Sequence, residues 1–154
     1  MAANTGFIQG QDYVLSIMVA TTWTPIAHST SHTLDVNMET RDRSSKDTGR
    51  WKGKVPGLLG WSVTSESIAL YDGYSFAELK ALMDNRTKVQ VKLSGRAASA
   101  GGDDLYLPSQ IGDDYNEGYG YITSLSLNAP NANDATVSCT IEGDGELESK
   151  VATV

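Results

Sequence analysis

The sequence predicts a mainly β domain with a single helix, and three observations carry that prediction. Apolar and polar residues alternate with period two in four separate runs, the mark of strands with one face buried. Only one segment switches to helical spacing. Fifteen glycines against four prolines supply tight turns without Pro-rich linkers. At 154 residues the chain fits one domain, residues 1–154, large enough to bury a core without covalent staples.

In chain order, Leu15, Ile17 and Val19 alternate with Ser16 and Met18. Leu34, Val36 and Met38 alternate with Thr33, Asp35 and Asn37. Residues 58–70 are rich in β-branched and aromatic side chains but break phase internally, as a bulge or bend would make them. A helix follows. Ser75 is a good N-cap, Glu78 completes a capping box, and Phe76, Leu79, Leu82 and Met83 share one face up to a stop at Asn85. Val89, Val91 and Leu93 form the next clean alternation. The run 118–127 is again a long β-rich stretch, with Gly118 and Gly120 marking a bend or a close packing contact. Residues 128–134 read as a hairpin turn into Ala135, Val137, Cys139 and Ile141.

Two long loops remain, at 39–57 and 96–117. Loops beyond about 12–15 residues are uncommon in compact domains and are usually functional or flexible. Two in one small domain suggest a surface built to meet something.

Charge is segregated between them. Arg41, Arg43, Lys46, Arg50, Lys52 and Lys54 are half of the 12 basic residues and fall within 14 positions. From Asp103 to Glu148 there are ten acids and no Lys or Arg. A basic arm and an acidic body on one chain favour head-to-tail contacts, which build rings or filaments. Trp51, inside the charged loop, suits an anchor at a subunit contact. A net charge of −7 argues against a protein that wraps nucleic acid.

No site for chemistry emerges. There is no G-x-S-x-G, no Walker A and no G-x-G-x-x-G, and pairs of carboxylates are expected by chance among 19 acids. His28 and His32 stand four apart in a region that reads as strand and turn, without further zinc ligands nearby. Asp103, Asp104, Asp113, Asp114, Asn116 and Glu117 offer oxygens suited to calcium, but not at EF-hand spacing, and a solvated acidic loop is the simpler reading. No cofactor, metal or enzymatic activity is expected. Cys139, the single cysteine, cannot form an internal disulfide and reads as a small buried hydrophobe. No stretch approaches the roughly 20 apolar residues that cross a bilayer, and the first residues carry no secretory signal, so the protein is expected to be made and folded in a cytoplasm and membrane contact is not expected.

Ser45-Lys46-Asp47-Thr48-Gly49-Arg50-Trp51, followed by Gly57-Leu58-Leu59-Gly60-Trp61-Ser62, resembles the loop-and-strand pattern of phage major tail proteins of the TP901-1 type. The late segments, Gly120 to Leu125 and Thr140 to Gly145, match that family's closing pattern, and the similarity spans about residues 9–147. The resemblance implies an antiparallel β-sandwich or partial barrel with one flanking helix. It further implies six-membered rings that stack head-to-tail into a tube, other tail proteins at the tube ends, and a lumen that passes DNA without binding it. On this chain the loop that reaches the neighbouring ring is 39–57, so Arg41, Arg43, Lys46, Asp47, Arg50, Trp51, Lys52 and Lys54 are the expected contact residues. Asp35, Glu66 and Glu142 are the expected lumen-facing acids, because an acidic wall repels phosphate. Alternatives are the inner tube of a contractile tail or secretion device and, in another class, a monomeric β-sandwich that binds carbohydrate or calcium.

Overall fold

The computed structural model describes residues 13–26, 29–47, 49–71, 75–95 and 114–151. The first alternation becomes β1 (Tyr13–Val19), with Leu15 and Ile17 fully buried. A two-residue turn, with Ala20 at φ 56°, leads into β2 (Thr22–Pro25). Then come β3 (Ser29–Asp42), β4 (Lys54–Ile68), α1 (Phe76–Asp84), β5 (Val89–Gly95), β6 (Asp114–Asn128), β7 (Thr136–Gly143) and β8 (Glu148–Val151). The four-residue strands β2 and β8 are too short for alternation to announce them.

All pairings are antiparallel, in the order β2-β1-β5-β6-β7-β4-β3, with β8 on β6. The expected sandwich or partial barrel is therefore one continuous sheet folded on itself, and β6 is the shared strand. Its first half pairs with β5 (Val89↔Gly120 to Ser94↔Tyr115) and its second half with β7 (Gly120↔Gly143 to Asn128↔Thr136). The two halves face each other across the core. Leu15, Ile17, Val89, Val91 and Leu93 come from one side, and Trp61, Val63, Cys139 and Ile141 from the other. Helix α1 adds Leu79 to that core, and Glu78 caps it by accepting from the Ser75 N–H at 3.1 Å.

Trp61 sits at the far end of the core, 6% exposed, with its indole N–H donated to the Gly145 carbonyl at 3.1 Å. A Cβ at position 118 would lie 2.6 Å from the Trp61 ring, so Gly118 is a close-packing glycine.

The loop expected over 39–57 is shorter than its charge suggested. β3 and β4 continue pairing to Asp42↔Lys54, which leaves only 43–53 without strand. A bulge sets Gly57 and Leu58 of β4 against Glu39 of β3. It requires glycine at 57, where a Cβ would meet the Glu39 carbonyl oxygen at 2.9 Å. In the second expected loop, 114–117 belong to β6; the remainder, with Asp103, Asp104 and Asp113, lies outside the described residues, as does His28.

Candidate subunit-contact and lumen surfaces

β7 covers β4 only from Ser62 to Ile68. Beyond that point β3 and β4 run on as a two-stranded ribbon, in which every described residue from Asp35 to Asp42 is exposed and Val55 alone of Lys54–Gly60 is half-buried. The alternation over Leu34, Val36 and Met38 holds, but its apolar face leaves the core. Leu34 packs against the core, whereas Val36 and Met38 are 57% and 51% exposed. Leu58, Leu59 and Trp51 are also open to solvent, at 78%, 73% and 86%. A lone two-stranded ribbon is marginal in water, and this one carries a large apolar load on wet surface.

At the ribbon's end stand Arg41, Arg43, Lys46, Asp47, Arg50, Lys52 and Lys54, all exposed. Lys54 and Asp42 approach at 4.0 Å, an exposed contact of little energetic weight. The basic cluster and Trp51 thus project away from the core on one arm.

The expected acids share a face. Register pairs Asp35 with Ser62 and Ser62 with Glu142, while Glu66 is four residues along β4 from Ser62. Paired residues in an antiparallel sheet point to the same side, and so do residues two and four apart on one strand. Asp35, Glu66 and Glu142 therefore lie on the side opposite Val63, Cys139 and Ile141. Their neighbours there are Thr33, Asn37, Thr64, Ser138, Thr140, Ser124 and Ser126. Up to the bulge this four-stranded face carries hydroxyls, amides, three carboxylates and Tyr121, and no Lys or Arg. A phosphate backbone would meet there no cation able to release its counterions.

Two strand edges are open. Among the described residues no strand pairs with the outer edge of β3. Nor does β5 continue along β6 past Gly120, so residues 121–128 have one free edge. Neither 33–40 nor 121–128 contains the Lys or Pro that ordinarily blunts an edge strand.

Other polar groups are engaged within the chain, apart from the buried His32 Nδ1 and Ser65 Oγ, which have no hydrogen-bond partner among the described residues. His32 reaches from β3 to β1, where its Nε2 accepts from the Leu15 N–H at 3.4 Å, and burial lowers its pKa. Burial pushes the Cys139 thiol up to about 11, as befits an inert core residue. Glu117 accepts from Gln90 and from Lys150, and no group of three metal-ligating side chains is found among the described residues. The Lys92 ammonium lies over the rings of Trp23 and Tyr115, at 5.7 and 4.4 Å, so these two rings are engaged with a cation of their own chain.

The family model of the phage tail tube protein matches residues 7–149. The chain belongs to the phage tail tube protein family. No curated protein matches this tail tube family member by sequence. Three solved structures show its fold at low identity. A tail of an empty gene transfer agent (GTA) particle with C6 symmetry shares 15% identity at a TM-score of 0.74, over 94% of this chain and all of that one. The SPP1 tail tube shares 11% identity at 0.72, over 96% of this chain and 81% of that one. The sheath–tube complex of an extracellular contractile injection system, in the extended state, shares 16% identity at 0.63, over 94% and 92%. The family agrees with the expected phage tail protein; it does not place the chain in the TP901-1 type.

Proposed function

We propose that this tail tube family member is a structural subunit, not an enzyme, of which six copies close into a ring and rings stack into a hollow tube for DNA. The observation that carries the reading is the hydroxyl-rich, acid-bearing face free of Lys and Arg, on a four-stranded patch with an open edge at each end. Adding β3 of one copy to residues 121–128 of the next continues the sheet around a pore and removes both edges at once. The Asp35, Glu66 and Glu142 face then lines the lumen, where like charge keeps DNA sliding. The six-fold symmetry of the GTA tail supports the count of six.

Stacking falls to the arm. Arg41, Arg43, Lys46, Asp47, Arg50, Trp51, Lys52 and Lys54 reach a copy in the adjacent ring, where the acidic body of the chain offers complementary charge. Rings assemble in the host cytoplasm and end up in the virion tail, capped by other tail proteins.

The test is electron microscopy of the purified chain, which is expected to give hollow tubes with six-fold cross-sections. Deleting Ser44 to Lys52 leaves a folded chain that no longer makes long tubes. Long tubes from that deletion would refute the role of the arm. A second reading, the inner tube of a contractile device, is favoured by the likeness to the sheath–tube complex; a sheath protein that co-assembles on these tubes would decide for it.

A further inference from the structure

Beside the free edge of β6 lies a groove of about 440 Å³, lined by Leu82, Met83, Arg86, Thr87, Tyr121 and Ile122. It forms because β5 begins only opposite Gly120, so the C-terminal turn of α1 flanks β6 where a further strand would run. The groove opens on apolar surface: Met83 and Tyr121 are 38% and 40% exposed. Nothing else in the fold covers it among the described residues.

The uncovered strip on β3 has matching chemistry. Rotation about a ring axis keeps the direction of each strand, so β3 of one copy runs antiparallel to β6 of the next, as every neighbouring pair in the sheet already does. The core side of the sheet stays on the same side across the joint. Leu34, Val36 and Met38, which share the core-side face of β3, then stand on the same side of the continued sheet as Ile122, Leu125 and Leu127. The first two of these are buried or half-buried, and Leu127 is 50% exposed. Within one copy the row Leu34–Val63–Ile141–Ile122 sets Leu34 level with Ile122, with Val36 and Met38 two and four residues beyond it. A stagger of about four residues over four strands, as a tilted closed barrel requires, is what brings Met38 to the groove beside Ile122. Charge agrees: Arg86 on the groove's rim has no acidic partner among the described residues, and Glu39, next to Met38, has no basic one.

We propose that this groove at the end of α1 is the seat for the Val36–Met38 strip of a second copy of the chain, and so is the side-chain half of the in-ring joint. The proposal rests on the edge-to-edge ring above and adds a specific address to it. It explains why β3 keeps an apolar alternation that its own core does not use, and why α1 stops short of covering β6.

Cysteine pairs test it. Val36→Cys with Met83→Cys, and Met38→Cys with Met83→Cys, are made in the full chain, where buried Cys139 does not compete. Assembled tubes are oxidised with copper–phenanthroline and run on denaturing gels. At least one pair is expected to give a ladder of covalent oligomers up to a ring, while single variants stop at dimers. Met83→Asp is expected to keep the melting temperature of the parent and lose at least ten-fold in assembled fraction. If tubes form but neither pair ladders and Met83→Asp assembles like the parent, the seat is wrong and the ring stands. If the parent chain stays monomeric, the ring reading itself falls, and the seat with it.

Discussion

β3 and β4 form one hairpin that behaves as two materials. Near its base, where β7 pairs alongside β4, Val63, Ser65 and Ser67 are buried, and Trp61 is clamped between Gly118 and the Gly145 carbonyl. Past the Val36–Trp61 row the same pair of strands is wet on both faces but for half-buried Val55, with Met38, Leu58 and Leu59 exposed, and Val36 is already open to solvent. The backbone ladder continues across the boundary, so pairing alone does not separate the halves. What separates them is a third strand: β7 stops at the row of Ser62. The base serves the stability of the single chain, and the ribbon serves whatever covers it.

That contrast can be broken at its base first. Trp61→Ala removes the largest core side chain at the boundary and is expected to cost about 3–5 kcal/mol in urea unfolding. A loss below 1 kcal/mol would mean that the base is not where the hairpin is held.

The next effect is smaller and depends on pH. His32 is neutral in the fold because burial lowers its pKa below the ordinary 6.5. The unfolded chain therefore binds a proton first, and stability falls as pH drops below about 6.5, by at most roughly 1.4 kcal/mol per pH unit from this one group. His32→Gln keeps a hydrogen-bonding side chain and is expected to flatten that part of the melting-temperature profile between pH 6.5 and 5. An unchanged slope would remove His32 from the account.

The smallest expected change in chain stability lies in the ribbon. Leu58→Ser is expected to move the unfolding free energy by no more than about 0.5 kcal/mol, as for other exposed sites, while lowering the tube yield seen by light scattering. Equal losses of stability at Leu58 and Trp61 would erase the distinction between the two halves.

The core strands and α1 were legible because their own chain covers them, and alternation reports one covered face. The same signal at Val36 and Met38 was genuine but silent about the cover: period two says that a face is apolar, not whose core it meets. The ribbon read as loop because Arg41, Asp42 and Lys54 hide a strand pair under charge. The common face of Asp35, Glu66 and Glu142 could not be fixed from sequence, since a one-residue slip reverses a strand's facing; the row Asp35–Ser62–Glu142 supplies it. The groove at α1 left no sequence signal, because Leu82 and Tyr121 meet only through the fold.

The interruption at Glu39, where Gly57 and Leu58 crowd opposite one residue, has a consequence for growth. An uninterrupted strand edge can zip to any passing edge and propagate into fibres. A bulge adds local twist, so the flat template ends at Met38 and only a short length of β3 can join another sheet. In the proposed ring, assembly is thereby metered: each joint would gain a fixed number of backbone bonds, and the rest of the strand would be left for the arm.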